Sequence, residues 1–455
     1  MKHVLKNTIS LILAAIFLVL LLAACGGTSS ASTGSASGAS SQEAASTSTQ
    51  VQEVTLGYTW WGNQVRAERT TAVTEMYTAL HPEVTFALEY CDGGSYNDLI
   101  TTRAAGGDLP DLIQVDYDAV PRYADKGLLI PLDEYVEAGI IDLSKCDANT
   151  IAAGTVDGSL YALSMGNNAR CMFYDASLLQ ELGLTISMEP TWEEFKEIGQ
   201  KVYEATGIKT SYCWQITYAE TLRNTIRGAG YEFYNEEQTA LGFDDPTIIE
   251  RAYQELAEAG AAEWVVDPSE YAGITGSELE PIVASKAWNA FLTSNMGVGL
   301  QSAMGEDRTL GICMQPTFSD KSRQPCYVQP SQLTGLGSSG TDAEKKAAAA
   351  ALNYIINDID ANKVLLNERG VSMNSEVCEA IANDLDEVSQ KISDYVTYVA
   401  KHGAPAPALE PACSSEIFEL EKNIRQKVLF GAETPEDAAA EFMQGANKIL
   451  AENAG

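Results

Sequence analysis

The chain has 455 residues, 45% of them hydrophobic, and 63 acidic against 29 basic side chains give a formal net charge of −34. That balance argues against nucleic acid as a partner, since neutralising phosphates takes clustered Lys and Arg. The apolar content is that of a globular protein, and the length exceeds what one hydrophobic core usually serves, so two lobes are expected.

The chain opens with an export signal. Lys2 and Lys6 precede an apolar run from Ile9 to Leu22, and Leu22-Ala23-Ala24-Cys25 follows at once. A basic start, a short apolar run and small residues before a cut mark a secretory signal. The run is short for a membrane span. Leu-Ala-Ala-Cys resembles the lipobox of bacterial lipoproteins, which implies cleavage after residue 24 and diacylation of Cys25. The rival reading is an ordinary secretory peptide with an incidental Cys. Residues 25–52 are Ser, Thr, Ala and Gly with almost no apolar bulk, a composition that cannot offset chain entropy by burial and reads as a flexible tether.

Beyond the tether, Val54-Thr55-Leu56-Gly57-Tyr58 alternates like a strand. Val73, Met76, Tyr77 and Leu80 have helical spacing, and His81-Pro82 ends that helix. Val84–Leu88 is a second strand, Ser95–Ala105 a second helix stopped by Gly106-Gly107, and Leu112–Val115 a buried third strand. This βαβαβ pattern predicts a parallel sheet faced by helices. Gly158–Leu163 is extended, and Cys171–Tyr174 reads as a strand. Thr191 and Glu194 form a capping box opening a helix to about Ala205. Mixed segments fill 217–305. Cys326-Tyr327-Val328 is strand-like. Thr341 and Glu344 form a second capping box on an Ala-rich helix with Leu352, Ile355, Ile356 and Ile359 on one face. Thr434-Pro435-Glu436-Asp437 starts a last helix. Of nine cysteines, eight besides Cys25 are scattered without CxxC pairs, which fits free thiols and leaves room for a bridge.

Several ordered segments resemble extracellular solute-binding proteins of the family-1, sugar-binding type. They include Trp60-Trp61-Gly62 with Arg66, Gly106-Gly107-Asp108-Leu109-Pro110-Asp111, Gly127-Leu128-Leu129-Ile130-Pro131-Leu132-Asp133, Asp157-Gly158-Ser159-Leu160-Tyr161, Pro190-Thr191-Trp192-Glu193-Glu194-Phe195 and Arg369-Gly370-Val371-Ser372. The resemblance implies an α/β, two-lobed, periplasmic-binding-protein-like (Venus flytrap) fold of type II, with discontinuous lobes. It places 53–163 plus 326–372 in an N-terminal lobe and 164–325 plus 373–455 in a C-terminal lobe. Crossings are expected near Leu163–Asn167, Met314–Tyr327 and Gly370–Asn374. It also implies a monomeric lipoprotein on the outer face of the cell membrane, which captures a carbohydrate between its lobes and delivers it to the permease subunits of an ABC importer.

Ligands of open α/β sheets bind outside the carboxyl ends of strands. Sugars ask there for planar hydrogen-bonding groups and an aromatic plane. Trp60 and Trp61 at the end of the first strand are the candidate platform, though one of the pair reads equally as core. Arg66 offers hydrogen bonds or a surface ion pair. Asp116 and Tyr117 follow the third strand, with a helix cap by Asp116 the competing role. Asn167 and Asn168 sit at the expected first crossing, where amides suit hydroxyls and also suit a turn. Trp214, Trp288 and Asn289 are the second-lobe candidates, and Arg369 lies near the last crossing.

No cofactor or metal site is expected, and there are only three His. No GxSxG, HExxH or phosphate-binding loop appears. A binder is therefore preferred to an enzyme. The alternatives are a polyamine- or oligopeptide-binding lipoprotein, a secreted glycosidase acting through paired carboxylates, and a surface lipoprotein with no ligand.

Overall fold

The computed structural model describes residues 53–62, 64–91, 93–212, 220–271, 274, 276–408, 410–411 and 413–453. The signal, Cys25, the tether and Trp214 lie outside them. The two main sheets use β1 (Val54–Trp61), β2 (Val84–Cys91), β3 (Leu112–Val115), β4 (Ala162–Ser164), β5 (Asn167–Asp175), β6 (Asn289–Thr293), β7 (Leu310–Cys313), β8 (Val328–Pro330) and β9 (Leu333–Leu336). The helices that matter below are α1 (Gln64–Leu80), α2 (Gly93–Gly106), α3 (Trp192–Thr206), α4 (Glu220–Gly228), α5 (Thr247–Ala261), α6 (Asp342–Asn357), α7 (Glu387–His402), α8 (Ser414–Leu429) and α9 (Pro435–Glu452).

The fold is the two-lobed type II α/β arrangement. The first sheet runs β2-β1-β3-β9-β4. Strands β1, β2 and β3 are parallel, and β9 lies antiparallel to both β3 and β4. Alternation along β1 sends Val54, Leu56, Tyr58 and Trp60 into a core shared with Val73 and Tyr77 of α1 and Leu352, Ile355 and Ile356 of α6. The opposite face of the sheet packs on Tyr96 and Ile100 of α2. In the second sheet β5 pairs with β6, β7 and β8, all antiparallel. Phe195, Tyr253, Ile424 and Phe442, from α3, α5, α8 and α9, fill one side. Tyr395, Val396 and Val399 of α7 meet Ala169, Cys171 and Phe173 on the other.

Local signals explain most element ends. Thr341 Oγ1 accepts from the Glu344 N–H at 3.3 Å and the Glu344 carboxylate accepts from the Thr341 N–H at 2.7 Å, completing the box. At α3 only half of it forms. Thr191 Oγ1 caps Glu194 N, but the Glu194 carboxylate turns to the N–H and hydroxyl of Ser187, each at 2.8 Å. Ile359 departs from the expected buried face, since Asp358 ends α6, caps a new short helix and leaves Ile359 41% exposed.

Among the described residues, the chain passes between the sheets three times. Met165-Gly166 links β4 to β5, and Ser331-Gln332 links β8 to β9. The third passage lies beside the first, where Asn167 and Val371 exchange backbone hydrogen bonds of 2.6 and 2.9 Å. The return crossing lies later than the expected Met314–Tyr327. Val328, Gln329 and Pro330 pair with Ala169, Asn168 and Asn167, so this segment stays with the second sheet because Cys326 and Val328 pack into its core. Among the described residues, Cys91, Cys146, Cys171, Cys313, Cys326, Cys378 and Cys413 are free thiols, and no helix is long and apolar enough to cross a membrane.

Candidate ligand cleft

One edge of the first sheet gathers the carboxyl ends of β1, β3 and β4, with the start of β9. Trp61 is the last residue of β1, and its side chain is partly exposed. It leans edge-on against Tyr96 with ring centres 4.8 Å apart. Its carbonyl is fixed by the Gln114 amide and the Arg66 guanidinium, both at 3.1 Å. Asp116 follows β3, exposed, and its side chain makes no cap bond to the turn it precedes. Surrounding protein raises its carboxyl above the ordinary aspartate range, and Asp118 adds to this. Tyr117, beside it, is pushed up by burial and by the charge of Glu410. Glu410 belongs to the second lobe, and its charge is felt by the phenol of Tyr117 on the first.

Glu410 sits in a segment stiffened by Pro405, Pro407 and Pro411. Burial raises its carboxyl, which pairs with Arg223 and accepts from Tyr234 Oη at 2.8 Å. Arg227, one turn along α4, is 3% exposed, pairs with Glu232 at 2.6 Å and lies over the Tyr327 ring at 5.2 Å. Arg223, Arg227, Tyr234, Phe243, Tyr327 and Glu410 line a hollow of about 620 Å³. Aromatic planes beside planar polar groups can hold a sugar ring by its C–H face and its hydroxyls together.

The expected residues divide. Trp61, Asp116 and Tyr117 share the open strand edge. Trp60 is 1% exposed, stacked on Tyr90 at 5.9 Å and packed in the first-lobe core, so it offers no ligand face. Trp288 is fully buried with its indole N–H on Thr210 Oγ1 at 2.8 Å. Asn289, also fully buried, clasps the Ser211 backbone at 2.9 and 3.0 Å. Arg66 is the ion pair of its competing reading, with Nε 3.0 Å from Glu368. Arg369 is 5% exposed and bonds Thr70 Oγ1 at 2.9 Å inside the first lobe. Asn167 and Asn168, each 7% exposed, are built into the crossing. Sequence reasoning missed Arg223, Arg227, Tyr234, Tyr327 and Glu410. An acid among prolines and two Arg four residues apart were the available signals. Among the described residues no group of three or more His, Cys, Asp or Glu could hold a metal ion.

The family model for bacterial extracellular solute-binding proteins matches residues 61–360. A maltotriose-binding protein of Pyrococcus abyssi is 26% identical over 179 residues, 39% of this chain and 37% of that protein. An arabinooligosaccharide-binding protein of Halalkalibacterium halodurans is 28% identical over 114 residues, 25% of each. This chain therefore aligns with well under half the length of either. Over the whole fold, the structure of a family 1 extracellular solute-binding protein from Alicyclobacillus acidocaldarius superposes with a TM-score of 0.73 and 25% identity, covering 88% of this chain and 99% of the other.

Proposed function

This chain belongs to the bacterial extracellular solute-binding protein family, and we propose that it captures an oligosaccharide between its lobes and hands it to the permease of an ABC importer. The observation that carries the reading is the set of aromatic and planar polar groups around the second-lobe hollow, Arg223, Tyr234, Tyr327 and Glu410, together with Trp61, Asp116 and Tyr117 at the open strand edge of the first sheet. These groups offer acceptors for hydroxyls and rings for the C–H face. The names of the maltotriose- and arabinooligosaccharide-binding relatives support the same ligand class. Closure on ligand is a hinge motion, as in periplasmic binding proteins generally. In this reading Trp61, Asp116 and Tyr117 bind from the first lobe, the protein acts as a monomer without a cofactor, and binding is not followed by chemistry. Lipid on Cys25 tethers the body to the outer face of the membrane, where the permease lies.

Calorimetry with linear malto- and arabino-oligosaccharides tests the claim. Saturable heat with at least one, weakened tenfold or more by Tyr117→Ala, is expected. Absence of heat with every sugar, alongside tight spermidine binding, would overturn it. That second outcome has its own motive, because Glu232, Glu236, Asp244, Asp245 and Glu410 outnumber Arg223 and Arg227 around the hollow. Release of reducing sugar by the purified protein would instead favour a glycosidase.

A further inference from the structure

Helix α4 has two working faces. Arg223 and Arg227 look into the cleft-side hollow, whereas Thr221, Asn224, Thr225 and Gly228 line a separate pocket of about 240 Å³, and no residue lines both. The second pocket lies inside the second lobe, floored by Trp192, Gln315 and Thr317, which are 4%, 5% and 6% exposed.

Two polar atoms on that floor have no partner. Gln315 accepts from Asn224 Nδ2 through Oε1 at 2.6 Å, but its buried Nε2 donates to nothing. The Thr317 backbone is fully used, its N–H on Pro190 O at 3.1 Å and its carbonyl accepting from Trp192 N at 3.0 Å. Its buried hydroxyl also has no partner. Buried polar groups are nearly always satisfied in folded proteins. One ordered water needs only roughly 10–15 Å³ of such space, so the pocket is far larger than two waters require. It is also below the roughly 300 Å³ at which drug-sized ligands are held.

The charges around the pocket are already matched. Arg251 pairs with Asp320 at 2.7 Å and covers the Phe318 ring at 3.7 Å, and Lys321 lies 3.7 Å from Glu189. A charged guest would bury its charge without a counterion. What remains on offer is an indole, neutral amides and hydroxyls.

We propose that this pocket is a second binding site, for one neutral polyhydroxylated ring of monosaccharide or cyclitol size. Its hydroxyls accept from Gln315 Nε2 and bond Thr317 Oγ1, and its C–H face lies among Trp192, Pro316 and Phe318. The site stands independently of the cleft and of the oligosaccharide reading.

Saturation-transfer NMR on the purified full-length chain, with D-glucose, D-galactose and myo-inositol as probes, tests it. At least one probe should give a saturable signal that Trp61→Ala changes by less than about twofold. Gln315→Leu and Thr317→Val should each weaken it about tenfold, the scale of one buried hydrogen bond, and Thr317→Ser, which keeps the hydroxyl, should retain it. The proposal is overturned if no probe binds, if the signal disappears with Trp61→Ala and survives Gln315→Leu, or if Thr317→Ser abolishes it while near-UV circular dichroism stays native. Calorimetry of oligosaccharides at the cleft is scored separately, so failure of either site is distinguishable from failure of the other.

Discussion

Trp60 and Trp61 occupy opposite faces of β1, and their replacements should separate. Trp60→Ala empties a filled core position and is expected to cost about 3–5 kcal/mol, read from the urea midpoint. Trp61→Ala should leave that midpoint within about 1 kcal/mol while lowering oligosaccharide affinity at least tenfold by calorimetry. The alternation Val54, Leu56, Tyr58, Trp60 already assigned Trp60 to the inner face, since side chains in a strand point to alternate sides. The tandem Trp drew attention to composition where register held the answer. Arg66 was not legible in that way, because its partner Glu368 lies 302 residues further along. Asp116 carries a pH signature. Partial desolvation by the surrounding protein and the charge of Asp118 lift its carboxyl above the ordinary 3.8, so the folded protein holds this proton more tightly than the unfolded chain does. Its contribution is therefore most favourable below 3.8 and is lost as pH rises through the folded value. Asp116→Asn should accordingly raise the melting temperature at pH 7 relative to wild type, and that gain should vanish near pH 3.5.

Elements with local punctuation were readable, and those defined by distant pairing were not. The cap of α6 rests on two residues three apart, and Thr341→Ala should cost about 1 kcal/mol in chemical denaturation. Glu194 shows the limit of the same motif: the spacing was right, but Ser187, seven residues earlier, took its carboxylate. Cys326-Tyr327-Val328 was recognisable as extended, yet only Val328 enters a strand, which runs on to Pro330 and depends on β5, some 160 residues away in the chain. Tyr327 consequently ended on the cleft wall of the second lobe, a position that local pattern could not assign.

At the scale of the whole molecule, the first and third passages between the sheets touch through their backbones. A Cβ on Gly166 would stand 2.7 Å from the Gly370 carbonyl carbon, and Gly370 itself holds φ +125°. Only glycine tolerates both the approach and the dihedral. Gly166→Ala is expected to destabilise by about 1–3 kcal/mol and to alter the change in radius of gyration on adding ligand, measured by small-angle scattering. Small-angle compaction in the wild type with ligand would also separate a receptor from an inert surface lipoprotein. The same two glycines set a lever. Displacement in a rotation grows with distance from the axis, so Asn167 at the pivot would barely move while the lobe margins sweep through the largest arc. A few degrees there would open or shut a passage for solvent at those margins while the backbone around Asn167 shifts least.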